Sequence, residues 1–143
     1  MNKLISFVFA ILLALPAMGQ NDKKPFRAYI YNKEYEVYLR IDFYDESITV
    51  PGQELYGQLP GYLGKMHNSF CWVITSANVV DNEAKIAMIN DFGSEDLIAT
   101  LTYENDSLYR LKQIEGSTLK VPKNGKWQKL PTSLPFTLRQ KHH

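Results

Sequence analysis

His67 and Ser69 stand close together in the chain, and Cys71 follows two residues later. A base, a hydroxyl and a thiol in that order raise the question of nucleophilic catalysis. No nucleophile elbow surrounds Ser69, and no acid is placed to orient His67, so a hydrolytic triad is not expected. Cys71 is the one cysteine, which rules out an internal disulfide. It could be a nucleophile or an intermolecular bridge. It lies between Phe70 and Trp72 with no activating partner in view, and the pattern predicts a small buried hydrophobe. Glu36, Arg40 and Asp42 fall on one strand face at spacings of two and four, either as a ligand-binding or catalytic row or as an outer face with cross-strand ion pairs. The remaining carboxylates, such as Asp45, Glu46, Asp81, Asp91, Glu95, Asp96 and Asp106, sit at turns, where they keep loops solvated or cap them. His142 and His143 end the chain, and no Cys/His spacing resembles a zinc site. Asp91-Phe92-Gly93 matches a kinase tripeptide without any other kinase signature, and Asn105-Asp106-Ser107 is a glycosylation sequon that matters only in a eukaryotic secretory pathway. These residues predict a non-catalytic protein with no cofactor and no metal.

Aromatic side chains give the other chemical signal. Tyr29, Tyr31, Tyr38, Tyr44, Tyr56, Tyr62, Phe70 and Trp72 crowd the first half. Tyrosine and tryptophan join apolar area to a polar handle, which suits binding sites, and they also favour strands for packing reasons. Tyr56, Tyr62 and Trp72 flank a Gly-containing stretch and are the expected ligand-binding residues.

The elements that would position these groups are strands. Tyr35, Val37, Leu39, Ile41 and Phe43 alternate with Glu36, Tyr38, Arg40, Asp42 and Tyr44, giving one apolar face and one wet face, as in an antiparallel sheet. From Glu83 to Glu115 three strands follow one another. Ala84, Ile86 and Met88 share a face of the first. Leu97, Ala99, Leu101 and Tyr103 share a face of the second. Tyr109, Leu111 and Gln113 alternate with Leu108, Arg110 and Lys112 in the third. Further strands are expected at Phe26 to Tyr31, Ser47 to Val50, Ser69 to Val79, Ser117 to Val121, Lys126 to Leu130 and Leu134 to Arg139. In the Ser69 strand, Trp72, Ile74 and Ser76 are expected on one side, with Val73, Thr75, Ala77 and Val79 on the other. Asn124-Gly125 predicts a type I′ hairpin turn. Gln53 to Asn68 holds Pro60 and three glycines, and reads as a short strand near Glu54 to Gln58 followed by a long loop, of the kind that often carries function. No amphipathic helix is expected in the mature chain. The fold class is therefore all-β: an antiparallel up-and-down meander of about eight to ten strands closing into a barrel, with a β-sandwich as the alternative.

Length argues for one domain. Residues 1–19 read as a signal peptide. Lys3 precedes an apolar run from Leu4 to Leu15, and Ala17-Met18-Gly19 offers small residues for cleavage, leaving residues 20–143 as a single barrel domain with a loose C-terminal end. The apolar run is shorter than a membrane span needs, so no stable membrane anchor is expected, and the protein should be periplasmic or secreted. Without Lys3 the chain carries 15 basic and 15 acidic residues, a balance that gives no case for nucleic-acid binding. The balance is uneven along the chain. After Glu115 come Lys120, Lys123, Lys126, Lys129, Arg139 and Lys141 with no acidic residue. These lysines either guard strand edges or form a basic patch for an acidic partner.

The meander of short strands resembles the small barrels of the lipocalin and calycin type. The signal ending at Gly19-Gln20, with Val50-Pro51-Gly52 and Gly93-Ser94-Glu95-Asp96-Leu97, resembles small exported proteins of Bacteroides-like bacteria. The lipocalin Gly-x-Trp near the first strand is absent. Gly125-Lys126-Trp127 has those letters near the C-terminus, so no ligand residue carries over. The resemblance implies a binding role: a barrel that holds a small apolar or amphipathic ligand at its open end. The alternative is an interaction module or inhibitor that acts on an envelope or secreted protein.

Overall fold

The computed structural model describes residues 24–139. The expected signal peptide and the terminal histidines lie outside the described residues. Twelve strands are present among those described: β1 (Arg27–Asn32), β2 (Val37–Asp42), β3 (Ile48–Thr49), β4 (Gln58–Leu59), β5 (Gly61–Lys65), β6 (Asn68–Val80), β7 (Glu83–Asn90), β8 (Asp96–Asn105), β9 (Leu108–Gly116), β10 (Lys120–Lys123), β11 (Lys126–Lys129) and β12 (Ser133–Leu138). Eight of them form a closed antiparallel barrel in the order β1-β12-β9-β8-β7-β6-β5-β2, and the rest pair as two ribbons, β3-β4 and β10-β11. Closure replaces the sandwich alternative. It is made where β1 meets β12, over the register pairs Ile30–Leu138 and Tyr31–Thr137.

Period-two patterning decides which way each strand faces. Val37, Leu39 and Ile41 of β2, Ala84, Ile86 and Met88 of β7, Leu97, Ala99 and Leu101 of β8, and Tyr109 and Leu111 of β9 all enter one buried cluster. Lys85, Arg110 and Lys112 alternate with these residues and are exposed or half-buried. An apolar inside with charges outside is the reverse of a transmembrane barrel. Each fully buried aliphatic side chain contributes about 1.5–3 kcal/mol of burial. Strand β6 departs from simple alternation. Phe70, Trp72 and Ile74 face inward, then the register with β7 shifts between Ile74 and Ser76. A bulge adds one residue and flips the parity beyond it. Ala77 and Val79 therefore pack against the core, and the expected place of Ser76 beside Trp72 and Ile74 is corrected.

The expected long loop up to Asn68 is also corrected, because Gly61–Lys65 is the barrel strand β5, between β2 and β6. Its glycines serve close approach rather than looping. A Cβ on Gly61 would stand 2.2 Å from the Arg40 carbonyl oxygen, and one on Gly64 would meet the Tyr38 ring. Residues Glu54–Tyr56 form a 3₁₀ turn rather than a strand.

Both ends of the barrel are closed by the chain itself. At one end Phe26 stacks on Phe43 at 5.6 Å, Tyr109 lies edge-on to Phe26, and the Tyr109 hydroxyl donates to the Pro25 carbonyl at 2.6 Å. At the other end the β10-β11 hairpin lies between β9 and β12. Asn124 and Gly125 turn it with φ of 53° and 77°, the two positive values that a type I′ turn requires. Its base supplies Leu119, Val121 and Leu130 to the core. The Trp72 indole N–H donates to the Lys120 carbonyl at 2.9 Å, and Lys120 Nζ pairs with Glu95 at 3.2 Å. The interior is a packed core with a plug at one end and an aromatic floor at the other.

Candidate interaction surface

The three residues expected to bind a ligand do not converge. Trp72 is fully buried in the barrel core. Tyr62 is buried on the other side of the barrel wall, because Leu63 pairs with Trp72 while Tyr62 pairs with Val73. Tyr56 is half-exposed on the 3₁₀ turn. A flap from Phe43 to Pro60, built on the β3-β4 ribbon, lies against the outside of β5 and β6. Val50, Ile48 and Leu59 pack there on Tyr62, Cys71 and Val73. A hydrogen bond from the Gln53 side-chain amide to Asp91 ties the flap to the β7-β8 turn.

Next to the flap, the outer faces of β1, β2 and β5 carry a continuous run of rings and guanidinium groups. The register sets it out: Tyr29 pairs with Arg40, Tyr31 with Tyr38, Arg40 with Tyr62 and Tyr38 with Gly64. Tyr38 meets Tyr29 edge-on at 5.5 Å and Tyr62 edge-on at 5.8 Å. Gly64 makes this possible by leaving its side-chain space to the Tyr38 ring. Arg40 places its guanidinium carbon 5.2 Å from the centre of the Tyr29 ring. Arg139, just beyond β12, lies 5.4 Å from the Tyr29 ring and 5.2 Å from the Tyr31 ring. Arg139 also donates weakly to Met66 Sδ at 3.7 Å. Neither arginine makes an ion pair with a described carboxylate. Each such contact is worth about 0.5–1 kcal/mol at an exposed site and leaves guanidinium N–H donors to meet an oxyanion. Burial, and then the neighbouring Tyr38, push the Tyr62 phenol well above its ordinary range, so it stays neutral.

Two surface grooves border this run. Arg27, Tyr29, Arg40, Asp42, Ser47 and Ile48 line one of about 530 Å³. Tyr38, Pro51, Tyr62, Phe70 and Asp91 are among the residues lining another of about 280 Å³.

The expected row of Glu36, Arg40 and Asp42 is split. Glu36 is in the β1-β2 turn at φ 57° and pairs with Lys65 at 3.1 Å. Asp42 is buried at the far end of β2 and organises the turn into the flap. It accepts from the Ser47 hydroxyl at 2.5 Å and from the Tyr44 and Asp45 N–H groups, and lies 3.3 Å from Arg27 Nε. Burial works to raise its pKa, but those donors outweigh burial and the net shift is downward. Only Arg40 of the three belongs to the tyrosine surface. Cys71 is a buried free thiol, pushed up to about 11 by burial and then by the charge of Asp91. His67 is exposed at the β5-β6 turn with φ 59°. Among the described residues, no three or more His, Cys, Asp or Glu gather to hold a metal.

No protein-family model, no curated protein and no solved structure matches the chain.

The tyrosine–arginine surface was signalled only in part. Tyr38 and Arg40 stood on the wet face of the clearest alternating strand, and Tyr29 and Tyr31 flanked Ile30. Arg139 belonged to the basic run after Glu115, which reads as edge guards or a patch for an acidic partner, but nothing in the local pattern placed it beside Tyr29.

Proposed function

We propose that this is an exported, non-catalytic binding protein that engages an acidic segment of a partner protein on the outer face of β1, β2 and β5. The observation that carries the reading is the pair Arg40 and Arg139, both stacked on Tyr29 and neither paired with a described carboxylate. Arginine forks match carboxylates in a bidentate way, and tyrosine faces supply the apolar contact that interfaces favour. A small apolar ligand inside the barrel would need space that Trp72, Phe136, Leu63 and their neighbours fill, and an opening that the β10-β11 hairpin covers. The non-catalytic reading draws support from the dispersal of the ionisable groups. Asp42 holds a turn, Glu36 holds Lys65, and Cys71 is masked.

Native mass spectrometry of the protein from its own host, beside an Arg40→Ala/Arg139→Ala variant, tests this. The expected result is a bound partner chain with the wild type and none with the variant. A co-purifying small molecule held equally by both would overturn the surface reading and return the interior to consideration.

A further inference from the structure

The β10-β11 hairpin has a second feature that closing the barrel does not use. Residues 117–132 hold four lysines and no acidic residue. The register sets Lys120 opposite Lys129 and Lys123 opposite Lys126. Like charges directly across a ladder destabilise it, and a ribbon of two strands has few other contacts to offset that. Lys120 is answered by Glu95, and Asp91 accepts from Gln53. Lys126 and Lys129 make no ion pair with a described carboxylate. Trp127 lies among these charges, 50% exposed, with Lys120 Nζ 5.7 Å from its ring centre. It packs at 5.2 Å on the buried Phe70, which is also flanked at 6.1 Å by Phe92, 71% exposed. Two large exposed aromatics and a cluster of lysines thus share one end of the barrel.

We infer that this end docks reversibly on an anionic lipid surface, with Trp127 and Phe92 entering the interface and the hairpin lysines lying over the headgroups. The residue types favour a membrane over an acidic protein. Lysine is a flexible, hydrated point charge that suits a diffuse negative surface, whereas the directed forks are on the tyrosine surface elsewhere. Tryptophan is the side chain that settles best at headgroup depth. Each lysine near such a surface adds on the order of fivefold in affinity, and the attraction is screened by salt.

Sedimentation of the protein with vesicles of equimolar phosphatidylglycerol and phosphatidylethanolamine tests the inference, with phosphatidylcholine replacing phosphatidylglycerol in the control. Binding is expected to the anionic vesicles only, and to weaken steeply with salt. Lys126→Glu/Lys129→Glu should lose it by more than tenfold. That variant relieves the lysine pairing across the ribbon, so its melting temperature should hold or rise, which separates lost docking from lost folding. Trp72 is buried, so a blue shift and quenching by brominated lipid chains should come from Trp127 and vanish in Trp127→Phe. Equal binding to both vesicle types, no binding at low salt, unshifted emission, or hairpin lysines that capture an acidic protein but no vesicle would each overturn the inference. Binding lost in Arg40→Ala/Arg139→Ala but kept in the lysine variant would overturn it too, and would assign lipid to the other surface.

Discussion

The Tyr38 ring occupies the space that a side chain on Gly64 would need. A methyl built on Gly64 would stand 2.4 Å from Tyr38 Cζ and 2.5 Å from its hydroxyl oxygen. The ring cannot swing aside freely, because Tyr29 and Tyr62 flank it edge-on. Gly64→Ala should therefore cost about 1–3 kcal/mol through overpacking, read from urea unfolding. Tyr38→Ala in the same chain should recover part of that loss, giving a clear coupling in a double-mutant cycle. Gly61→Ala should cost more, since its methyl would meet the Arg40 carbonyl oxygen, which is backbone, at 2.2 Å. Equal costs at the two positions would show that the ring is no softer than the chain.

Trp72 links the core to the hairpin through one hydrogen bond to the Lys120 carbonyl. Trp72→Phe leaves that carbonyl unpaired and opens space in a filled interior, for a loss of about 2–4 kcal/mol. Amide hydrogen exchange should show where the loss falls. Protection should drop further in residues 119–130 than in β7 and β8. A uniform drop would mean that the hairpin is held by its apolar base alone.

Asp42 should make the barrel acid-sensitive. Its carboxyl is shifted downward in the folded protein: burial alone would raise it, and Ser47, the Asp45 and Tyr44 N–H groups and Arg27 more than reverse that. A lowered pKa stabilises the fold fully above the unfolded value of about 3.9, and that stability is lost as pH falls through the lower folded value. Denaturation midpoints followed from about pH 6 down to about pH 2 should fall more steeply in the wild type than in Asp42→Asn. Parallel curves would place the acid sensitivity at other carboxylates.

Where alternation was uninterrupted, the sequence read correctly. Val37 to Ile41, Ala84 to Met88 and Leu97 to Leu101 each show one face to the core, and strands of that kind in short succession led to a barrel. The misreadings share a physical cause. Glycine marks a loop by its freedom and a tight approach by its smallness, and Gly61 and Gly64 are of the second kind. Alternation says which residues share a face but not which face is the inside. Tyr62 and Trp72, grouped by their nearness to a presumed loop, thus came out on opposite sides of one wall. A bulge such as that at Thr75 reverses parity without any unusual residue to announce it. The tyrosine–arginine surface needed Arg139 to be brought beside Tyr29, a juxtaposition across more than a hundred residues that local pattern does not contain.

The seam between β1 and β12 has its own meaning for assembly. Its register spans two residue pairs, extended by the hydrogen bond from Arg139 N–H to the Tyr29 carbonyl at 2.9 Å. The first and last described strands thus complete the ring, and the longest-range pairing in the fold is also the shortest ladder of the barrel. Until it forms, the growing sheet has two raw edges, each a template for a neighbour's strand. Crowded, half-made copies would therefore trade terminal strands most readily at this junction, and Arg139 latches it.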